Sequence, residues 1–249
     1  MRLDKLVSSQ GLCDRKQVKV LAKKGKITVN GEPVKDPGFS VNPDQDRIVV
    51  DGTELTYQKF VYLMLNKPQG VICATEDRAA QTVLDLVPPE LLRPGLFPAG
   101  RLDKDTIGFV LLTDDGALAH RILSPKNHIQ KTYEAVLDHP LSREDILAFA
   151  EGITLKDGTE CLPAIVEPLP DSKDAGADGN NNAGNSKIKI KICEGKYHQI
   201  KRMIAARDNA VLALKRTSMG SVPLDPALPE GACRPLTPAE QELLLTNPS

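Results

Sequence analysis

The sequence predicts an α+β protein in two parts, a small αα-β unit followed by a larger domain built on a mixed, largely antiparallel sheet flanked by helices. Three observations lead there. Apolar runs of strand and helix period are interleaved without a regular βαβ repeat. After Tyr57 a basic, polar stretch gives way to an apolar strand, and 249 residues exceed what one small domain needs. A composition of 41% hydrophobic and 26% charged residues excludes a wholly disordered, collagen-like or coiled-coil chain. No run of 18 apolar residues occurs and the first five residues lack a secretory signal's apolar stretch, so a cytoplasmic protein with no membrane segment is expected. The cysteines (Cys13, Cys73, Cys161, Cys193, Cys233) are odd in number, widely spread and never in a C-x-x-C pair. The four histidines (His120, His128, His139, His198) lack ligand spacing, so neither a disulfide framework nor a metal site is expected.

The elements follow in order. Leu3, Leu6 and Val7 fall at helical spacing with Gly11 as the stop, and Asp14 caps a second helix that Gly25 ends. Strands at 26–29 and 32–34 flank Asn30-Gly31, the dipeptide suited to the two positive φ angles of a type I′ turn. A last strand at 47–50 completes a unit of residues 1–59. The second domain, 60–249, opens with the strand and Pro/Gly turn Val61-Tyr62-Leu63-Met64-Leu65-Asn66-Lys67-Pro68-Gln69-Gly70. Further strands are expected at 109–113, 132–137, 164–167, 187–193 and 211–215, with helices at 117–123, 143–151 and 197–207. Residues 171–186 hold no apolar side chain larger than Ala and read as a mobile loop between two strands. Thr237-Pro238-Ala239-Glu240 is a capping box that starts a C-terminal helix.

A net charge of −1 conceals two basic islands. Residues 1–35 carry nine Lys/Arg against Asp4, Asp14 and Glu32, and 196–216 carry Lys196, Lys201, Arg202, Arg207, Lys215 and Arg216 against Asp208 alone. At about 100° per residue, Arg15, Lys16, Lys19 and Lys23 share one face of the second helix, opposite Val18, Leu21 and Ala22. A solvated helix face ordinarily mixes signs at i, i+4, whereas this one has no acid, which suits a phosphate backbone. Arg2-Leu3-Asp4-Lys5-Leu6, Gly11, Asp14-Arg15 and Gly25-Lys26-Ile27-Thr28-Val29-Asn30-Gly31 resemble the ribosomal-protein-S4-like RNA-binding domain. That resemblance implies RNA contacts from the second helix and its adjoining loop; Arg2, Arg15, Lys16, Lys19, Lys23 and Lys24 are the expected RNA-binding residues.

Three segments could carry chemistry. In 100–116 a polar stretch holding Asp103 and Asp105 runs into an apolar strand; alone, either acid could simply close an Asx-turn. In Lys131-Thr132-Tyr133-Glu134-Ala135, strand alternation sends Tyr133 to the face opposite Thr132 and Glu134. In 194–203, Ile200, Met203 and Ile204 make an apolar helix face with Lys201 at its edge, a cation in need of an acid for which Asp103 is a candidate. Together, Gly100-Arg101-Leu102-Asp103 with its Thr-x-Gly continuation, Lys131-Thr132-Tyr133 and His198-Gln199-Ile200-Lys201-Arg202-Met203 resemble the RNA pseudouridine synthases, in the ribosomal small subunit pseudouridine synthase A branch. The motif at 65–70, Leu214-Lys215-Arg216 to Gly220 and Arg234-Pro235-Leu236-Thr237 extend the likeness over nearly the whole chain.

The resemblance implies isomerisation of a uridine: the N-glycosidic bond breaks, the uracil turns over and a C–C glycosidic bond forms. Asp103 matches the family's catalytic aspartate, acting as nucleophile or base. Lys201 matches its basic partner, with Arg202 as the alternative. Tyr133 matches the tyrosine that stacks on the flipped base, Leu214 and Leu102 line the same pocket, and Arg101 holds phosphate or fills the vacated stack. No cofactor is implied, because the reaction is redox-neutral. The expected substrate is one uridine of small-subunit (16S) ribosomal RNA, on a partly assembled particle, modified by a monomer. The alternatives are a large-subunit (23S) enzyme of the same family, or a non-catalytic RNA-binding ribosome assembly factor.

Overall fold

The structure, a computed structural model, describes residues 1–170 and 186–246. Helix α1 (Leu3–Ser9) buries Leu3, Leu6 and Val7 against Val18 and Ala22 of α2 (Arg15–Lys23). The Asp14 side chain accepts from the Gln17 amide at 2.8 Å while Gln17 accepts from the Asp14 amide at 3.0 Å, a reciprocal cap that fixes where α2 starts. Four short strands follow: β1 (Ile27–Val29), β2 (Glu32–Pro33), β3 (Ile48–Val50) and β4 (Thr53–Glu54), in the order β2-β1-β3-β4. Asn30 and Gly31 take φ of 54° and 88°, the expected type I′ geometry. Asp51 and Gly52 repeat it at 47° and 85°. That second hairpin supplies β4, which the sequence reading ended short of.

The second domain contains β5 (Tyr62–Lys67), β6 (Phe97–Pro98), β7 (Ile107–Thr113), α3 (Gly116–Leu123), β8 (Lys131–Leu137), α4 (Arg143–Glu151), β9 (Ile165–Pro168), β10 (Ser186–Ile192), α5 (Gln199–Ala205), β11 (Val211–Met219), β12 (Val222–Pro223), β13 (Cys233–Pro235) and α6 (Pro238–Thr246). Its main sheet runs β13-β5-β7-β11-β8-β10-β9, with β6 pairing β7 and β12 pairing β11. Every pairing is antiparallel except β7 with β11. The expected mixed, largely antiparallel sheet is therefore the one observed. The loop expected at 171–186 lies outside the described residues apart from Ser186, which opens β10.

Periodicity decides which part of the sheet is covered. β5 is buried throughout its length and β7 nearly so, because continuous apolar runs supply both faces: Leu63, Leu65, Val110 and Leu112 to one core, Tyr62, Met64, Phe109 and Leu111 to the other. In β8 and β10 the pattern alternates. Tyr133, Ala135, Ile188, Ile190 and Ile192 point into the first core, while Glu134, Lys187, Lys189 and Lys191 point away from it. Burying each large apolar side chain stabilises by about 1.5–3 kcal/mol. The parallel step from β7 to β11 depends on Gly108: at φ 100°, a Cβ there would sit 2.3 Å from the Arg216 carbonyl oxygen.

The two domains touch at Arg93. Its Nε donates to the Ser9 carbonyl at 3.0 Å and its guanidinium pairs with Asp114 at 3.2 Å, while Asp114 accepts from the Val61 amide at the start of β5. No helix of the described residues is long and apolar enough to cross a membrane.

Candidate active site

The loop before β7 carries Asp103, and the 65–70 motif holds that loop in place. Lys67, at the end of β5, is fully buried and donates to the carbonyls of Pro68, Lys104 and Thr106 at 3.1, 3.3 and 2.8 Å. The Gly70 amide donates to Lys104 at 2.8 Å, and the Leu102 amide reaches Cys73 Sγ at 3.3 Å. Burial pulls the Lys67 ammonium below its ordinary pKa, a tendency that Cys73 and the nearby Asp105 and Asp103 charges oppose. The expected helix at 197–207 is shorter, because His198 takes a left-handed φ of 47° and α5 starts only at Gln199. The same twist stacks the Tyr197 and His198 rings at 3.9 Å between centroids and brings His198 Nε2 within 3.5 Å of Asp103.

Lys201, the third residue of α5, sends its Nζ between two carboxylates: 2.5 Å from Asp105 and 3.4 Å from Asp103. Burial alone lowers the Lys201 pKa, but the Asp105 hydrogen bond and the charges of Asp103 and Asp105 outweigh it and leave the ammonium above its ordinary value. The same hydrogen bond holds the Asp105 carboxyl below the usual range against the effect of burial. Ion pairing therefore keeps Lys201 and Asp105 charged at neutral pH.

A cleft of about 410 Å³ lies over these groups. Arg101, Leu102, Asp103, Tyr133, Lys201 and Leu214 all line it, joined by Thr106, Ile192, His198, Gln199 and Ile200. Tyr133 and Leu214 are buried in its walls, Asp103 is about a quarter exposed at 26%, and Arg101 is exposed. Leu102, Ile192, Ile200 and Leu214 make the apolar part of its lining, and Asp103, Thr106, His198 and Lys201 bring polar groups into it.

Not every expected residue comes here. Arg202 turns away, pairing with Asp157 and donating to the Tyr197 carbonyl at 3.3 Å. Several cations of the basic island at 196–216 are already paired: Lys196 with Glu194 two residues before it, and Lys201 with Asp103 and Asp105 and Arg207 with Asp145 far along the chain, while Arg216 is buried. Counting charges within 196–216 alone does not see these partners. In the first domain, Arg2 is chelated by Asp4 at 3.0 and 3.1 Å. Arg15, Lys16, Lys19, Lys23 and Lys24 are exposed, and among the described residues none is in an ion pair. Sequence reasoning did not single out three contributors. Asp105 is the nearer partner of Lys201, His198 flanks Asp103, and Thr106 brings a hydroxyl that is buried without a partner. The second acid two residues past Asp103 was the available signal for the first; the others depend on backbone geometry.

A carboxylate, an ammonium and a tyrosine converging on one cleft, behind a small domain with an uncompensated cationic helix, define a class: an enzyme that acts on a base of RNA. Family comparison gives an S4 domain over residues 1–55 and the RNA pseudouridylate synthase family over 61–206. The protein named uncharacterized RNA pseudouridine synthase YtzG of Bacillus subtilis (strain 168) is 50% identical over 247 residues, covering 99% of this chain and 98% of its own. Ribosomal small subunit pseudouridine synthase A of Yersinia pestis is 40% identical, covering 96% of each, and that of Escherichia coli (strain K12) 39%, covering 96% and 98%. A solved structure described as a pseudouridylate synthase superposes with a TM-score of 0.65 at 38% identity, over 98% of this chain and 100% of its own. The chain belongs to the RNA pseudouridine synthase family and is an isomerase with an appended S4 domain.

Proposed function

We propose that the protein converts one uridine of 16S ribosomal RNA to pseudouridine, with Asp103 as the reacting carboxylate. The observation that carries the site assignment is the meeting of Asp103, Tyr133, Lys201 and Leu214 on one cleft from four separate elements. The small-subunit target is supported by relatives of that name about 40% identical over nearly the full chain.

The S4 domain holds structured RNA through the phosphate-facing cations of α2, an attraction that weakens with salt. One uridine is flipped into the cleft at a cost of a few kcal/mol, offset by stacking on Tyr133 worth roughly 1–3 kcal/mol and by contact with Leu214. Arg101 at the rim takes a flanking phosphate or fills the vacated stack. Asp103 acts on the nucleoside while Lys201, 3.4 Å away, holds a positive charge beside it and orients it. The N1–C1′ bond breaks, the uracil turns, C5–C1′ forms, the C5 proton leaves and N1 gains one. Apolar walls from Leu102, Ile192, Ile200 and Leu214 keep water from capturing the detached base.

Mapping pseudouridine in rRNA from a deletion strain tests this reading. One 16S pseudouridine is expected to vanish, to return with the wild-type gene and to stay absent with Asp103→Asn. Loss of a 23S modification instead would overturn the target, and restoration by Asp103→Asn would overturn the assignment of the carboxylate.

A further inference from the structure

Behind Tyr133 lies a cation that the reaction as described does not use. Arg216 on β11 stands directly across from Tyr133 on β8 and is only 3% exposed. Its Nε donates to the Phe109 carbonyl at 2.7 Å and its Nη1 lies 3.5 Å from the Tyr133 hydroxyl, with the guanidinium carbon 6.0 Å from the ring centroid. Its Nη2 is buried without a hydrogen-bond partner, and among the described residues no carboxylate pairs with it. A second buried cation without an acid, Lys131, is close enough that burial first and Arg216 second push its pKa down to about 8. Buried charges are ordinarily paired, because desolvating an ion costs several kcal/mol. Tying β11 to β7 through Phe109 needs only a neutral donor and does not account for a full charge at this wall.

The chemistry accounts for it. When N1–C1′ breaks, the bonding electron pair stays on the uracil, which becomes electron-rich while stacked on Tyr133. A fixed positive charge in a dry wall favours that state over the neutral uridine, so it acts on turnover more than on binding. We propose that Arg216 is a positioning residue of the reaction, fixing Tyr133 through its hydroxyl and holding behind the ring the positive charge against which the departing uracil's electron pair is accommodated. The inference rests on the pseudouridine synthase reading of the cleft.

The test follows tritium release from 16S and 23S transcripts carrying 5-tritiated uridine, since the C5 hydrogen leaves as the C–C bond forms. Arg216→Gln is expected to lower kcat by about 30-fold or more with KM within about threefold, and Arg216→Lys to recover at least about tenfold of that loss. Tyr133→Phe removes the contact, so the losses of Arg216→Lys and Tyr133→Phe should be less than multiplicative in the double variant. Fully multiplicative losses, a change confined to KM, or Arg216→Lys no better than Arg216→Gln would overturn the proposal. If Arg216→Gln does not fold by circular dichroism, the Lys–Phe cycle decides alone. Asp103→Asn serves as control: if it keeps turnover, the reading of the cleft fails, whereas an inactive Asp103→Asn beside multiplicative losses defeats only the role of Arg216.

Discussion

Replacing Lys201 with Met removes the ammonium between Asp103 and Asp105 and keeps an unbranched side chain only one atom shorter. The loss can be worked from the geometry. At 3.4 Å from Asp103 and an effective dielectric of about 20, the gross attraction is roughly 5 kcal/mol. Lys201 and Asp103 are 24% and 26% exposed and the ammonium sits nearer Asp105, so solvent and sharing reduce the net effect to that of a charge-assisted hydrogen bond, about 1.5–3 kcal/mol. We expect kcat to fall roughly 10- to 100-fold, because each 1.36 kcal/mol is about tenfold in rate. The assay is tritium release from a 5-tritiated transcript at saturating RNA. Lys201→Arg, which keeps the charge, should retain most of the rate. The raised pKa of Lys201 and the lowered pKa of Asp105 mean the loss should not titrate away near neutral pH. A variant with Met here whose kcat stays within about threefold of wild type, or whose defect lies wholly in KM, would refute the view that Lys201 serves the carboxylate.

Charge reversal on the S4 helix, Arg15→Glu with Lys19→Glu, should weaken RNA affinity roughly tenfold and make log K against log salt shallower by about 1.5, with an unchanged thermal melt. Unaltered binding in filter assays would reject the role of α2. At the C-terminal end, hydrogen bonds from Arg234 hold the Glu240 carboxyl at about 2 instead of 4.5, against burial. A lowered folded-state pKa gives stability that is present above pH 4.5 and lost as pH falls toward 2. It is worth at most roughly 3 kcal/mol, so Glu240→Gln should destabilise at neutral pH and flatten that acid limb in urea melts. An acid limb as steep in the variant as in wild type would show that Glu240 does not carry it.

Much of this protein was legible in the chain because it is decided within a few residues. Asn30-Gly31 specifies its turn, Asp14 and Thr237 cap their helices, and alternating Lys and Ile across 187–192 fixes which face of β10 is buried. Asp103, Tyr133 and Lys201 were likewise identifiable as candidates from their motifs. Only the tertiary structure decided how they meet. Lys201 takes Asp105 from 96 residues away as its nearer partner, and Arg202 is claimed by Asp157 across 45. Arg216 is buried behind Tyr133 because β11 lies between β7 and β8. Turn type, capping and amphipathicity follow from short-range sterics and hydrogen bonding, whereas ion-pair choice and burial of charge depend on strand order, which brings together residues far apart along the chain.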